Sequence, residues 1–234
     1  MEPLTVIARL HNDFPTKFGI PRQSGVVADL PATIVLEREF RNPDALRGLE
    51  DFSHLWLIWG FSQVKQKDWS PTVRPPRLGG NTRLGVFATR SPYRPNPLGL
   101  SAVRLGEIQQ HPTLGPVLHV LGADLMDGTP IYDIKPYLPY ADCHPDATGG
   151  FAGEAPAPVL EVVIPDRWLR QLPEDCAEQL RQVLALDPRP AYQQDPARVY
   201  GMPYAQWDVR FRVAGQVLTV VEIVPHRPDA DPNP

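Results

Sequence analysis

Short apolar runs of strand length recur along the first part of the chain. Residues 4–10, 26–36, 54–61, 84–89, 100–108 and 116–125 are rich in Val, Ile, Leu and aromatics and are separated by turn-forming stretches. Arg77-Leu78-Gly79-Gly80-Asn81 and Asp127-Gly128-Thr129-Pro130 are two such turns. One helical turn is expected over 42–49, with Asn42 as cap and Pro43 at the first helical position. Strands do not alternate with helices here, so the pattern predicts a closed or nearly closed β-barrel rather than a doubly wound sheet.

The pattern changes after residue 142. Residues 143–158 are rich in Gly, Ala and Pro without periodicity, as in a linker or long excursion. A helix then opens at Pro173-Glu174-Asp175, with Ala177, Leu180, Val183 and Leu184 at helical spacing, and stops at Asp187-Pro188. Val209, Phe211 and Val213 alternate, Ala214-Gly215 turns, and residues 217–224 return as a hairpin partner. The expected fold is mainly β: a barrel over 1–145, a linker over 146–165, and a small α+β C-terminal domain over 166–234, with a frayed tail.

Composition adds constraints. Twenty-nine prolines in 234 residues argue against long helices wherever they cluster. Two cysteines, Cys143 and Cys176, make no disulfide framework, and the N-terminal residues hold no apolar run suited to a signal or membrane span, so a cytoplasmic protein is expected. The formal net charge of −4 argues against a protein that merely coats nucleic acid. Yet residues 65–104 contain eight Lys or Arg against the single acid Asp68. Such a segment is either a solvated basic surface or the footprint of a polyanion.

Several chemistries fail on inspection. Gly80 to Gly85 has P-loop glycine spacing, but Val86 stands where lysine is required, and no G-x-G-x-x-G follows a strand. The histidines show no metal-ligand spacing and there is no G-x-S-x-G elbow, so neither a metal nor that class of hydrolase is expected.

Two stiff loops remain. In 89–99, three prolines fix the backbone around Arg90 and Arg94, whose forked donors suit carboxylate or phosphate or, equally, surface acids. In 127–139, an Asp-Gly-Thr-Pro turn exposes backbone N–H groups, with Asp127 and Asp133 as candidate partners for a cation or general bases, or as carboxylates spent on their own backbone. A third element, Phe18-Gly19-Ile20-Pro21-Arg22-Gln23, is a proline-fixed turn ending in polar side chains. His54, Trp56, Trp59 and Phe61 are expected in the core or, for His54, as a cap.

Taken in order, FGIPRQ, GLEDFSHLW, TVRPPRLGGN, GVFATRSPYRPNPLG and DGTPIYDIKPYLPYAD resemble the TrmO family, also called YaeB-like or TsaA-like, and LDPRPAY with the hairpin near Trp207 is similar to its small C-terminal domain. The resemblance implies a single-sheeted β-barrel methyltransferase that uses S-adenosylmethionine, acts as a homodimer with cofactor near the subunit interface, and methylates N6 of N6-threonylcarbamoyladenosine beside the tRNA anticodon. Carried over by motif, cofactor contacts fall on Pro21, Arg22 and Gln23, on Ser62 and Gln63, and on Arg90 and Leu100. They also fall on Asp127, Gly128, Thr129 and Pro130. Ser62 departs from the family pattern, which has histidine before glutamine. Asp127 or Asp133 would take the N6 proton, and Arg74, Arg77, Arg83 and Arg94 would follow tRNA phosphates. A non-catalytic RNA-binding barrel and a methyltransferase with another substrate are the rival readings.

Overall fold

In a computed structural model, residues 4–64, 69–154, 159–189 and 195–226 are described. Lys65, Lys67 and Asp68 of the basic segment, residues 155–158 of the expected linker, Pro190, Ala191 and Tyr192 of the late motif, and the tail after His226 lie outside them.

The strands in chain order are β1 (Ala8–His11), β2 (Pro31–Leu36), β3 (His54–Gly60), β4 (Thr72–Val73), β5 (Leu84–Gly85), β6 (Leu98–His111), β7 (Gly115–Leu121), β8 (Thr129–Pro136), β9 (Glu161–Val163), β10 (Tyr200–Tyr204), β11 (Trp207–Ala214) and β12 (Val217–Pro225). The helices are α1 (Pro139–Asp142), α2 (Asp166–Leu169) and α3 (Glu174–Ala185). Six strands close a barrel in the order β1-β2-β7-β6-β3-β8, every neighbouring pair antiparallel. Alternation explains it: Ala8 and Leu10, Ile34 and Leu36, Leu55 and Leu57, and Leu118 and Val120 all turn into one buried interior. Each such Leu or Ile contributes about 1.5–3 kcal/mol on burial. β6 is long enough to serve two neighbours: Leu98–Arg104 pairs with β3 and the rest with β7, across a bulge between Leu105 and Glu107.

The expected barrel is present, with three differences. Most of 127–139, expected as a loop, is the closing strand β8. Its prolines are tolerated because Pro130 pairs with β1 beyond the end of β3, while Pro136 pairs with β3 beyond the end of β1. Only Leu84 and Gly85 of the expected strand 84–89 are extended, pairing with β4; a 3₁₀ turn over Val86–Ala88 follows. Over 26–36 the strand begins at Pro31, since Val27 and Leu30 are committed to a different core. The turn near 42 forms as expected, with the Asn42 side chain accepting from the Asp44 N–H at 3.1 Å. His54 is exposed at the start of β3, its ring against the Ser53 hydroxyl, rather than in the core.

That other core belongs to the C-terminal sheet, ordered β10-β11-β12-β9 with β9 and β12 parallel. α3 buries Ala177, Leu180, Val183 and Leu184 against Val209, Phe211, Val213, Leu218 and Val220. β9 falls within residues whose composition reads as linker, and β10 (YGMPY) carries too little apolar alternation to announce itself.

The excursion between β1 and β2 completes this core. Phe14 meets Tyr204 edge-on at 5.3 Å, and Val27 and Leu30 are buried in the same cluster, with Phe18 and Ile20 packed against it. At Gly19, φ is +89° and a Cβ would stand 2.3 Å from the Met202 sulfur, so only glycine fits there. The excursion that carries Pro21, Arg22 and Gln23 is therefore clamped by the C-terminal sheet.

Candidate functional site

An open groove of about 2300 Å³ runs between the barrel's loops and the C-terminal unit. Pro21, Arg22 and Gln23 form part of one wall, Arg90 and the loop around it another, and Leu186, Asp187, Pro188 and Arg189 a third. Seven cationic side chains line it against two carboxylates, Glu154 and Asp187. Arg189 is spoken for, since its guanidinium grips Asp187 with two bonds of 2.8 and 2.9 Å.

The first stiff loop braces itself. Thr89 donates its hydroxyl to the Val86 carbonyl at 2.9 Å and accepts from the Ser91 N–H at 3.3 Å. Arg94 donates to the Thr89 carbonyl at 3.2 Å. Of the two arginines, Arg94 thus holds the loop, while Arg90 points into the groove and donates to the Gln23 side-chain oxygen. The rim carries aromatic rings: Phe87 is 73% exposed and stacks on Trp69 at 6.2 Å, and Tyr93 is exposed as well. Such rings beside arginines are what single-stranded nucleic acid uses for stacking.

Arg74, Arg77 and Arg83 all line the groove. Arg83 donates to the Thr72 hydroxyl at 3.3 Å, and Arg77 reaches across to the Glu154 carbonyl. Arg94 is not among the lining residues.

Beside Arg90 lies a carboxylate that the sequence reading passed over. Asp124, in the β7–β8 connection, accepts from the Ser101 hydroxyl at 2.6 Å, and Ser101 accepts from the Trp59 indole N–H at 3.0 Å. Burial pushes its carboxyl above the usual range; the Ser101 hydroxyl, the Arg90 charge and the Ser24 N–H pull the other way. A lone Asp between Ala123 and Leu125 offers one sequence signal, a polar residue between two buried ones.

The second predicted group is placed differently. Asp127 Oδ1 accepts from the Asn12 N–H at 3.2 Å and meets His11 Nδ1 at 3.1 Å. Its backbone and that of Gly128 bond to the carbonyls of Phe14 and Leu10, each at 2.8 Å. Thr129 is buried with its hydroxyl on the Met126 carbonyl, and Pro130 pairs with Arg9. Asp133 uses both oxygens, one on the Ile134 N–H at 2.9 Å and one on Lys135 at 3.0 Å. None of Asp127 to Pro130 lines the groove.

Ser62 and Gln63 are exposed just past β3, where Phe61 is bonded to the Pro97 carbonyl. Leu100 projects from β6, 53% exposed, next to inward Ser101. One chain therefore brings Pro21–Gln23 and Arg90 together at the groove, while Ser62, Gln63, Leu100 and the 127–130 turn do not line it. Among the described residues no three His, Cys, Asp or Glu side chains gather as for a metal, and no helix is long and apolar enough to cross a membrane.

Comparison with known proteins adds a family. The tRNA-methyltransferase O N-terminal domain profile matches residues 9–143, and the TrmO C-terminal domain profile matches residues 161–226. The tRNA (adenine(37)-N6)-methyltransferase of Escherichia coli (strain K12) is 43% identical over 227 residues, spanning 94% of this chain and 96% of its own. A Pseudomonas aeruginosa protein named as a putative S-adenosylmethionine-dependent methyltransferase is 43% identical over 213 residues, 88% of this chain and 90% of its own. The crystal structure of TrmO from P. aeruginosa superposes with a TM-score of 0.77 at 33% identity, covering 97% of this chain and 98% of that one.

Proposed function

We propose, on the premise that this chain belongs to the TrmO family of S-adenosylmethionine-dependent tRNA (adenine-N6)-methyltransferases, that it methylates N6 of N6-threonylcarbamoyladenosine at position 37 of tRNA. Family membership sets aside a non-catalytic RNA-binding barrel. The observation that carries the finer reading is the groove, where Arg90 stands among exposed rings and three further arginines. The threonyl group adds a carboxylate to the base, and a forked guanidinium such as that of Arg74 or Arg83 is the donor that matches one.

The residues fit the cofactor. Arg90 and Gln23 offer donors to its carboxylate and hydroxyls, and exposed Leu100 offers apolar surface to its adenine. Pro21, Arg22, Ser62 and Gln63 would complete this part of its site. S-adenosylmethionine supplies, when bound, a methyl group on an electrophilic sulfonium. The protein's share is alignment and proton removal. N6 forms its bond to the methyl carbon as the S–C bond breaks, and the N6 proton passes to a carboxylate. Asp127 suits that task better than Asp133, because Oδ2 of Asp127 has no partner among the described residues while both oxygens of Asp133 are engaged.

On this reading the enzyme is a cytoplasmic homodimer with cofactor near the subunit interface. The separation of the Asp127–Pro130 turn from the groove within one chain supports it, since a second copy supplying that turn would complete the site. The test is incubation with S-adenosylmethionine and tRNA either bearing or lacking the threonylcarbamoyl group, read by mass spectrometry of nucleosides. One added methyl on the modified nucleoside alone is expected. Methylation of plain adenosine to the same extent would overturn the substrate assignment.

A further inference from the structure

The segment between β3 and β6 carries aromatic rings that neither core uses. Residues 69–97 hold five arginines, Arg74, Arg77, Arg83, Arg90 and Arg94, and no Lys, Asp or Glu. Within them β4 and β5 pair, Thr72 with Gly85 and Val73 with Leu84, and Phe87 sits in the 3₁₀ turn that follows. That turn is pinned at Val86. Its side chain is buried, its N–H is bonded to the Pro71 carbonyl at 2.9 Å, and its own carbonyl accepts from the Thr89 N–H and hydroxyl. With Val86 held inward, Phe87 is left exposed on the groove, and Trp69 stacks on it with 25° between the ring planes. Neither ring belongs to either buried cluster, and Tyr93 is exposed on the same groove. Three exposed rings among arginines form a binding face rather than a stray side chain.

Resting on the reading that Arg74 and Arg83 meet tRNA phosphates, we propose that Phe87 is the stacking platform for one unpaired nucleobase of the anticodon loop, with Trp69 backing the ring. Charge selects this occupant. A segment without a single carboxylate complements a polyanion, whereas a second copy of the same segment would set five arginines against five. A flat ring accepts any base by its π-face, but only a base that has left its own stack, so Phe87 separates a loop from a paired stem. The arginines cannot, because phosphates line both. Phe87 takes no part in methyl or proton transfer.

The experiment measures, by fluorescence anisotropy at fixed salt, binding of the full chain to a synthetic anticodon stem-loop and to a fully paired RNA duplex with the same number of phosphates. Neither probe bears the threonylcarbamoyl group, so the result is independent of that substrate assignment. Phe87→Ala and Phe87→Leu should each weaken stem-loop binding about tenfold or more and leave duplex binding near the parent, while Phe87→Tyr should stay near the parent on both. Leucine keeps apolar bulk without a π-face. Parent-like stem-loop affinity in Phe87→Leu therefore overturns the stacking role, as does an equal loss on both RNAs. Sedimentation of the RNA-free protein tests an interface between copies: parent and Phe87→Ala should share one oligomeric state, and a change overturns the inference. A loss of S-adenosylmethionine affinity in Phe87→Ala, read by calorimetry, also overturns it by placing the ring in the cofactor site. Arg74→Ala and Arg83→Ala should weaken both RNAs alike. Parent-like binding by both arginine variants overturns the phosphate reading and this inference with it, whereas an arginine effect beside an unchanged Phe87→Ala overturns the stacking alone.

Discussion

The indole of Trp59 lies flat against the backbone of Gly99, so close that a Cβ at position 99 would stand 2.2 Å from the ring. The ring is held in place, because its N–H is bonded to Ser101 and it meets Phe61 edge-on at 4.4 Å between centroids. Gly99→Ala should therefore cost roughly 1–3 kcal/mol through overpacking. Thermal denaturation should show a Tm several degrees lower. An unchanged Tm would mean that the ring moves aside freely.

Asp127 and Asp133 are distinguished by their partners. Single-turnover methylation at saturating cofactor should fall by about 10²-fold or more in Asp127→Asn, as expected for loss of a general base. Asp133→Asn, in which the Lys135 pair is lost on an exposed face, should stay near the parent rate. A parent-like rate in Asp127→Asn would remove the base role from this residue.

Salt dependence separates the arginines. Each phosphate contact adds about 0.7–0.9 to the slope of log affinity against log salt. Arg74→Ala and Arg83→Ala should each flatten the slope for tRNA by about that amount. Arg94→Ala should not, because its guanidinium is spent on the Thr89 carbonyl. A slope unchanged from the parent in both Arg74→Ala and Arg83→Ala would take the groove out of phosphate binding.

Asp13 sits where the excursion meets α3, and burial, followed by the charges of Asp175 and Asp127, raises its carboxyl above the ordinary 3.8. The folded chain then keeps this proton over a range in which the unfolded chain has lost it. Stability contributed by this group falls as pH rises from 3.8 through the folded value, and above it the penalty is complete. Asp13→Asn should be more stable than the parent at neutral pH, with the gain vanishing on acidification. Denaturant titrations at several pH values would show it, and a gain independent of pH would contradict it.

The two cysteines should differ in reactivity. Cys143 is exposed, whereas burial, with Asp13 and Asp175 nearby, pushes the Cys176 thiol up to about 11. At mildly alkaline pH a disulfide reagent should label one thiol per folded chain and the second only on unfolding. Rapid labelling of both would place Cys176 in open solvent.

Much of this molecule is legible in its sequence, for identifiable reasons. The alternation of Leu55, Leu57 and Trp59, or of Ile34 and Leu36, is set by burial on one face of a strand, and local pattern reports it directly. β8 hides because Pro130, Pro136, Gly128 and two aspartates mimic a loop; only the register of its neighbours shows that the missing N–H groups are not needed. Val27 and Leu30 look like the start of β2, and no local signal says that they serve a core built from residues beyond 160. Arg90 and Arg94 are equivalent on the page of the sequence. What separates them is which one the loop uses for its own bracing. Asp124 was missed because Ser101, its partner on β6, and Trp59 behind it on β3 are far from it in sequence.

The clamp on the β1–β2 excursion has a consequence for the order in which this protein acquires its shape. Phe14, Val27 and Leu30 leave the ribosome early, yet the surfaces that receive them, Tyr204, Val209 and Phe211 among them, are made close to the end of synthesis. Contacts so distant in sequence carry a high loop-closure cost and form slowly. During translation the barrel strands can pair while Arg22 and Gln23 still hang on an undocked tether. The wall of the groove that Arg22 and Gln23 form is thus finished last, and a chain truncated before β10 would emerge with its barrel strands present and that wall undocked.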